Sequence, residues 1–180
     1  STPKPSSAAS DVYKRQAETA LSTETAPDYA YTRVLLVDDN DLNLQIAEEL
    51  MKPYGMQVDC VHSGQEAVDA VKKERYDLVF MDHMMPGMDG IEALKKIRAL
   101  PDKNCCSIPV VVLTANASGS AQAMYLAEGF SDFLAKPIML QKLSEILKKW
   151  LAPVDEKRRR EYRNRRNQKA DGGQDEKPGK

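Results

Sequence analysis

Cysteine and histidine are scarce in this 180-residue chain, with three of the former and two of the latter. Cys60, Cys105 and Cys106 form no C-x-x-C pair and have few histidines near them. Neither a disulfide framework nor a zinc site is supported, and ordinary reduced thiols are expected. Long apolar runs are also missing. None approaches the roughly 20 residues that a membrane-crossing helix requires, and the N-terminus has no basic start followed by an apolar stretch. The expectation is a cytoplasmic protein without a membrane span. What the chain does have is 42% hydrophobic residues, enough to fill a core, in a length that suits one domain with flanking tails.

The formal net charge of −1 conceals an uneven distribution. Residues 1–32 carry Lys4, Lys14 and Arg15 against Asp11, Glu18, Glu24 and Asp28, and residues 153–180 hold ten basic and six acidic side chains. The stretch between them holds 13 basic and 17 acidic groups. Both ends are rich in Ser, Thr, Ala, Pro, Gly, Gln or charge and lack apolar periodicity, so they are expected to be disordered or loosely helical, leaving 33–152 as the domain. Within the C-terminal stretch, "KRRREYRNRRNQK" (157–169) has eight basic residues and one acidic. Such a run can bind phosphates of nucleic acid or an acidic membrane face. With Tyr162 as nearly its only aromatic or apolar content, a solvated tail is the preferred reading and a nucleic-acid partner the weaker one.

Inside 33–152, apolar runs alternate with helical patterns five times. "RVLLV" (33–37), "MQVDCV" (56–61), "DLVFM" (77–81), "VVVL" (110–113) and "DFLA" (132–135) read as strands, the third and fourth apolar enough to be buried on both faces. Leu42, Ile46 and Leu50 repeat every four residues. Ser63 with Glu66 makes a capping box ahead of Ala67, Val68 and Val71, and Ile91, Leu94 and Ile97 repeat every three before Pro101. Leu140, Leu143, Leu147, Trp150 and Leu151 form one stripe expected to stop at Pro153. Residues 118–128 make a weaker, Ala-rich helix. Strands alternating with helices imply a doubly wound α/β domain around a parallel sheet, because parallel strands require crossovers.

Ligands of such sheets bind outside the carboxyl ends of the strands. Asp38 and Asp39 follow the first strand, Asp82 the third, Thr114 the fourth, and Lys136 with Pro137 the fifth. Three carboxylates gathered on one edge repel each other and raise one another's pKa unless a cation sits among them. A hard divalent ion suits such oxygens, and Mg²⁺ is commonly held by one or two carboxylates plus phosphate oxygens. A lysine and a hydroxyl beside it supply what phosphoryl transfer needs. Each residue has an ordinary alternative: a helix cap for Asp38 and Asp39, a turn cap for Asp82, a strand-end hydroxyl for Thr114, a solvated amine for Lys136. Together these would require four unrelated coincidences at strand ends.

"VLLVDDNDLNLQ", "LVFMDHMMPGMDGIEAL", "VVVLTANA" and "DFLAKPI" resemble, in order and across essentially all of 33–152, the successive blocks of the response-regulator receiver domain of two-component signalling. The resemblance implies a flavodoxin-like (βα)5 fold with a five-stranded parallel sheet. It implies that Asp82 accepts a phosphoryl group from a phosphohistidine on a histidine kinase or histidine phosphotransfer domain. Mg²⁺ would be held by Asp39, Asp82 and the backbone carbonyl of His83, with Asp38 acting mainly through water. Thr114 would donate its hydroxyl to a phosphoryl oxygen and Lys136 would pair with the group. Pro86, Gly87 and Gly90 would shape the loop. Where many receivers carry a switching Tyr or Phe three residues before the lysine, this chain has Phe133, which lacks a hydroxyl, so only packing could couple it to Thr114. The helix 118–128, the last strand and the last helix would carry the output.

Met84 and Asn116 would flank the route of attacking water, with Met84 slowing hydrolysis, and the His83 side chain is expected to point away. His62 is read as a surface residue. Asn40, Asn43, "MDHMMPGMDG" and Asn116 resemble receivers attached to hybrid histidine kinases. With no kinase ATP-binding blocks and no phosphoacceptor-helix signature, the chain as given is a phosphoacceptor rather than an enzyme, and either a fragment of a hybrid kinase or a separately encoded receiver. A pseudo-receiver that takes no phosphate is the alternative. A phosphatase of the haloacid-dehalogenase type would want a second Asp two residues after the first, where this chain has Met84.

Overall fold

A computed structural model of the chain describes residues 27–171. Five strands, β1 (Arg33–Val37), β2 (Gln57–Val61), β3 (Leu78–Asp82), β4 (Val110–Thr114) and β5 (Asp132–Ala135), form one sheet in the order β2-β1-β3-β4-β5. Every pair is parallel. Helices α1 (Asp41–Met51), α2 (Gly64–Lys73), α3 (Gly90–Arg98), α4 (Gly119–Glu128) and α5 (Leu140–Asp171) cover its two faces, and a single helical turn, Lys103–Cys106, precedes β4. This is the doubly wound α/β architecture expected from the alternation of patterns.

Strand residues alternate between two cores, as the period of two requires. Val34, Leu36, Leu78, Phe80, Val111 and Leu113 pack with α1 and α5. Leu35, Val37, Val79, Met81, Val110 and Val112 pack with α2, α3 and α4. β3 and β4 are buried at every position, which explains their continuous apolar sequences. Both run one residue further than the sequence pattern suggested, so Asp82 and Thr114 are the last residues of their strands, with Asp82 in register with Leu113.

Local signals explain the helix starts. Asn40 caps α1 by accepting the amides of Leu42 and Asn43. Ser63 caps α2 through the Glu66 amide at 3.1 Å, while the Glu66 carboxylate reaches past Ser63 to the His62 amide at 2.8 Å. The α1 stripe differs from the expected one. Leu44, Ala47, Leu50 and Met51 are its buried residues, whereas Leu42, in the first turn of α1, is 62% exposed.

The expected stop at Pro153 also needs correction. Pro153 has no N–H for the carbonyl four residues back and would end an isolated helix, yet α5 passes through it. The next turns are held by distant partners instead. The amide of Tyr31 donates to Asp155 at 3.0 Å. Arg158 donates to both carboxylate oxygens of Asp77, at 2.6 and 2.7 Å, and to the Tyr31 carbonyl. Arg159 bonds Asp155 and the Asp28 carbonyl, and Tyr162 packs on Tyr31. Residues 27–32 are likewise docked: Tyr29 is buried and stacks with Tyr54, and Thr32 is buried against the Tyr29 carbonyl. Of the basic run, Arg158, Arg159 and Arg160 are committed to ion pairs within the chain, which weakens its reading as a free polycation. The expected looseness of 1–26 and 172–180 falls outside the described residues.

The nearly buried Asp77 carboxylate depends on Arg158. Arg158→Ala is expected to lower unfolding free energy by about 1–3 kcal/mol, the cost of stranding a polar group. A urea midpoint unchanged from wild type would show that this turn of α5 is not docked.

Candidate functional site

Because all five strands run the same way, their carboxyl ends share one edge, and the residues singled out there converge. Asp38 and Asp82 are buried and Asp39 is exposed; each offers a carboxylate oxygen, and these atoms lie within 4.8 Å of one another. Lys136 reaches in from the end of β5, with its Nζ 3.0 Å from Asp38 Oδ2 and 2.8 Å from Asp82 Oδ1. Its backbone amide donates to the Thr114 carbonyl at 2.8 Å, which ties the β5 end to the β4 end.

Asp38 is fully engaged. Its Oδ1 accepts the Asn40 amide at 2.9 Å, and its Oδ2 accepts Asn43 Nδ2 at 3.3 Å as well as Lys136. Asp82 Oδ2 and both oxygens of Asp39 accept no hydrogen bond from the described residues. Burial pushes the Asp82 carboxyl above the ordinary carboxylate range; Lys136 pulls it back, and Asp38 and Asp39 add to the rise. Burial alone would lower Lys136, but the hydrogen bonds to Asp82 and Asp38 outweigh it and raise its pKa, so the amine stays an ammonium at neutral pH.

The loop after β3 is shaped by close approach. A Cβ on Gly90 would sit 2.4 Å from the Asp82 carbonyl, so only glycine lets α3 start directly against the strand end. The Gly90 amide donates to the His83 carbonyl at 2.9 Å. That spends one lone pair of the carbonyl expected to serve the metal, whereas the Met84 carbonyl accepts no hydrogen bond among the described residues.

Two side chains behave differently from expectation. The His83 imidazole does not point away: its Nδ1 lies 2.9 Å from the Tyr125 hydroxyl, and the rings meet edge to face at 5.2 Å. Tyr125 is buried, and its hydroxyl needs partners there. The same hydroxyl is 2.8 Å from Thr114 Oγ1. Thr114 is thus joined to Tyr125 on α4, while Phe133 is half-buried on β5, in register with Val112, against the α2–α4 core. Nothing in the sequence pattern singled out Tyr125 beyond an aromatic residue in an Ala-rich helix.

A family model for the response regulator receiver domain matches residues 34–148, and the chain belongs to that family. It is 44% identical over 119 residues to the sensor protein GacS of Pseudomonas syringae pv. syringae, a match covering 66% of this chain and 13% of GacS. The chain therefore spans a small part of the length of such curated relatives. Among solved structures, it is similar to the receiver domain of the sensor histidine kinase PA1611 from Pseudomonas aeruginosa PAO1, which has magnesium coordinated in its active-site cleft. The TM-score is 0.61 at 36% identity, covering 67% of this chain and 98% of that one. It is also similar to the Saccharomyces cerevisiae co-crystal of the histidine phosphotransfer protein Ypd1 with the receiver domain of Ssk1, with a TM-score of 0.63 at 30% identity, covering 72% and 92%. Receivers carried by sensor kinases are the subtype that Asn40, Asn43 and Asn116 resemble.

The raised Asp82 pKa has a stability consequence. A folded-state carboxyl that holds its proton above the ordinary range contributes stability below that range and loses it as pH rises through the folded pKa, so at neutral pH its ionised form costs stability. Asp82→Asn is expected to raise Tm by a few degrees at pH 7 in the absence of divalent ions, with the gain disappearing in acid below the ordinary carboxylate pKa. A lower Tm for the variant at pH 7 would contradict the assignment.

Proposed function

We infer that this receiver domain is the phosphoacceptor of a two-component phosphorelay, with Asp82 taking the phosphoryl group from a phosphohistidine on a histidine kinase or histidine phosphotransfer domain. The observation that carries the reading is the asymmetric environment of Asp82. One oxygen is held by Lys136, the other accepts no hydrogen bond from the described residues, and Asp39 and Thr114 flank it. An Asp82 oxygen attacks phosphorus, the P–N bond to the partner's imidazole breaks, and an acyl phosphate forms on the chain. Lys136, already bridging Asp38 and Asp82, follows the charge onto the phosphoryl oxygens, and the Thr114 hydroxyl donates to another of them.

Three hard carboxylate oxygens within 4.8 Å, two of the groups buried, fit a small divalent cation. Asp39 and Asp82 would hold Mg²⁺ together with a loop carbonyl, and Asp38, saturated by Lys136, Asn40 and Asn43, would act through water. The carbonyl is that of His83 or, with the Gly90 amide occupying His83, the freer one of Met84. Bound there, the ion neutralises charge on the transferring group. The magnesium in the similar PA1611 receiver supports the assignment.

The site has an apolar rim. Leu42 at 62%, Met84 at 75% and Met139 at 50% exposure stand on α1, on the β3 loop and before α5, all beside the acidic edge. Large exposed apolar side chains at this edge suit a partner surface, and the Ypd1–Ssk1 complex shows that a similar receiver pairs with a phosphotransfer protein. Met84, two residues after Asp82, would slow attack of water on the acyl phosphate. The convergence of Asp39, Asp82, Thr114 and Lys136 disfavours a module that binds partners without taking phosphate.

Incubation with acetyl phosphate and Mg²⁺ is expected to add one phosphoryl mass to the wild type and none to Asp82→Asn, read by intact-mass spectrometry; equal gain in both would remove Asp82 from the mechanism. Lys136→Ala is expected to slow the gain roughly 100-fold. Leu42→Asp should slow transfer from a phosphohistidine protein about tenfold more than transfer from acetyl phosphate, and equal slowing would place the partner elsewhere.

A further inference from the structure

The hydroxyl that phosphoryl transfer requires of Thr114 has its proton committed elsewhere. Thr114 Oγ1 lies 2.8 Å from the Tyr125 hydroxyl, 3.2 Å from the Asn116 carbonyl, and accepts the Asn116 amide at 3.1 Å. Tyr125, 2% exposed, is in turn 2.9 Å from His83 Nδ1. Each hydroxyl has one proton. If Tyr125 donates to the imidazole, Thr114 must donate to Tyr125. If the imidazole N–H donates to Tyr125, Tyr125 donates to Thr114, and Thr114 donates to the Asn116 carbonyl. In both polarities the Thr114 proton is spent inside the protein.

The geometry points to Tyr125 as a positioning residue that competes with the incoming phosphoryl group for Thr114 and links the outcome to α4. This rests on the phosphoacceptor reading of Asp82. With Tyr125 donating to the His83 imidazole, Thr114 cannot give its one proton to a phosphoryl oxygen and keep donating to Tyr125, so phosphorylation breaks or reverses the Thr114–Tyr125 bond; in the other polarity the bond given up is the one to the Asn116 carbonyl. The effect on α4 is direct, because Ala121 and Tyr125 are the buried residues of that helix. Its Gly119 start and Ala-rich sequence offer little other purchase. Tyr125 is held edge to face by His83 at 5.2 Å and by Phe130 at 5.9 Å, so the ring spans from the phosphoacceptor loop to the segment leading into β5. Phe133, with no hydroxyl, has no such bond to lose. The hydroxyl that reports on Thr114 is therefore on α4, and β5 follows it through packing.

The test uses the full chain with Mg²⁺ and beryllofluoride, an acyl-phosphate mimic. Tyr125→Phe keeps the ring and removes the competing hydroxyl. Beryllofluoride should then bind roughly three- to tenfold more tightly, the factor a net hydrogen bond of this kind represents. The gain should persist with Thr114→Ser, which keeps a hydroxyl, and vanish with Thr114→Ala. Unchanged affinity in Tyr125→Phe, or the same gain in the Thr114→Ala background, overturns the proposal. Should Tyr125→Phe fold poorly, wild-type NMR decides: Tyr125 ring and α4 amide signals must shift on adding beryllofluoride, and their constancy while signals at 82 and 136 move overturns it. A wild type that binds no beryllofluoride at all would instead overturn the phosphoacceptor reading beneath it.

Discussion

A single ammonium holds the functional edge together. Two like charges about 4 Å apart cost roughly 4 kcal/mol at an effective dielectric near 20, and this fold brings three carboxylates within 4.8 Å at the ends of two strands. Lys136, bonded to Asp38 and Asp82 together, supplies the opposing charge from a third strand. Its amide bond to the Thr114 carbonyl brings in the fourth. The Asp82 carboxylate is buried, with one oxygen held by Lys136 and its pKa raised, the kind of environment in which perturbed groups at functional sites are found.

Much of this was legible in the sequence because it rests on period and on strand ends. Apolar runs at β3 and β4 announced strands covered on both faces, and in a parallel sheet the residues after such runs must share an edge. Asp38, Asp39, Asp82, Thr114 and Lys136 could thus be gathered before any coordinates. What escaped depends on contacts between residues remote in sequence. Pro153 is a sound local stop signal, overridden by Arg158 bonding Asp77, 81 positions away, and Tyr31, 127 positions away. Leu42 fits a helical stripe but is exposed in the first turn of α1. Tyr125 matters because its hydroxyl meets Thr114 and His83, 11 and 42 positions distant, and no pattern of apolar spacing encodes a bridging hydroxyl.

The site has an open and a closed side. On the open side, Asp39 and the apolar trio of Leu42, Met84 and Met139 face what comes from outside. On the closed side, Thr114, Tyr125 and His83 form a chain that leads into the α2–α4 core. Asp82 stands between the two, so an event at its free oxygen is visible to a docked partner through the rim and to the rest of the domain through one hydroxyl. Receiver domains must couple a local charge change to a wider surface, and here the wiring is a short run of hydrogen bonds ending in a lightly anchored helix.

The clasp between Arg158 and Asp77 bears on the strand that ends in Asp82. Asp77 immediately precedes β3, and its carboxylate also accepts the Arg33 amide at 2.9 Å, while Asp82 closes the opposite terminus under the grip of Lys136. The central strand is therefore moored at both extremities, to the last helix at one and to the last strand's lysine at the other. Ties at both termini oppose slippage of the strand along its neighbours and fix Asp82 relative to the sheet.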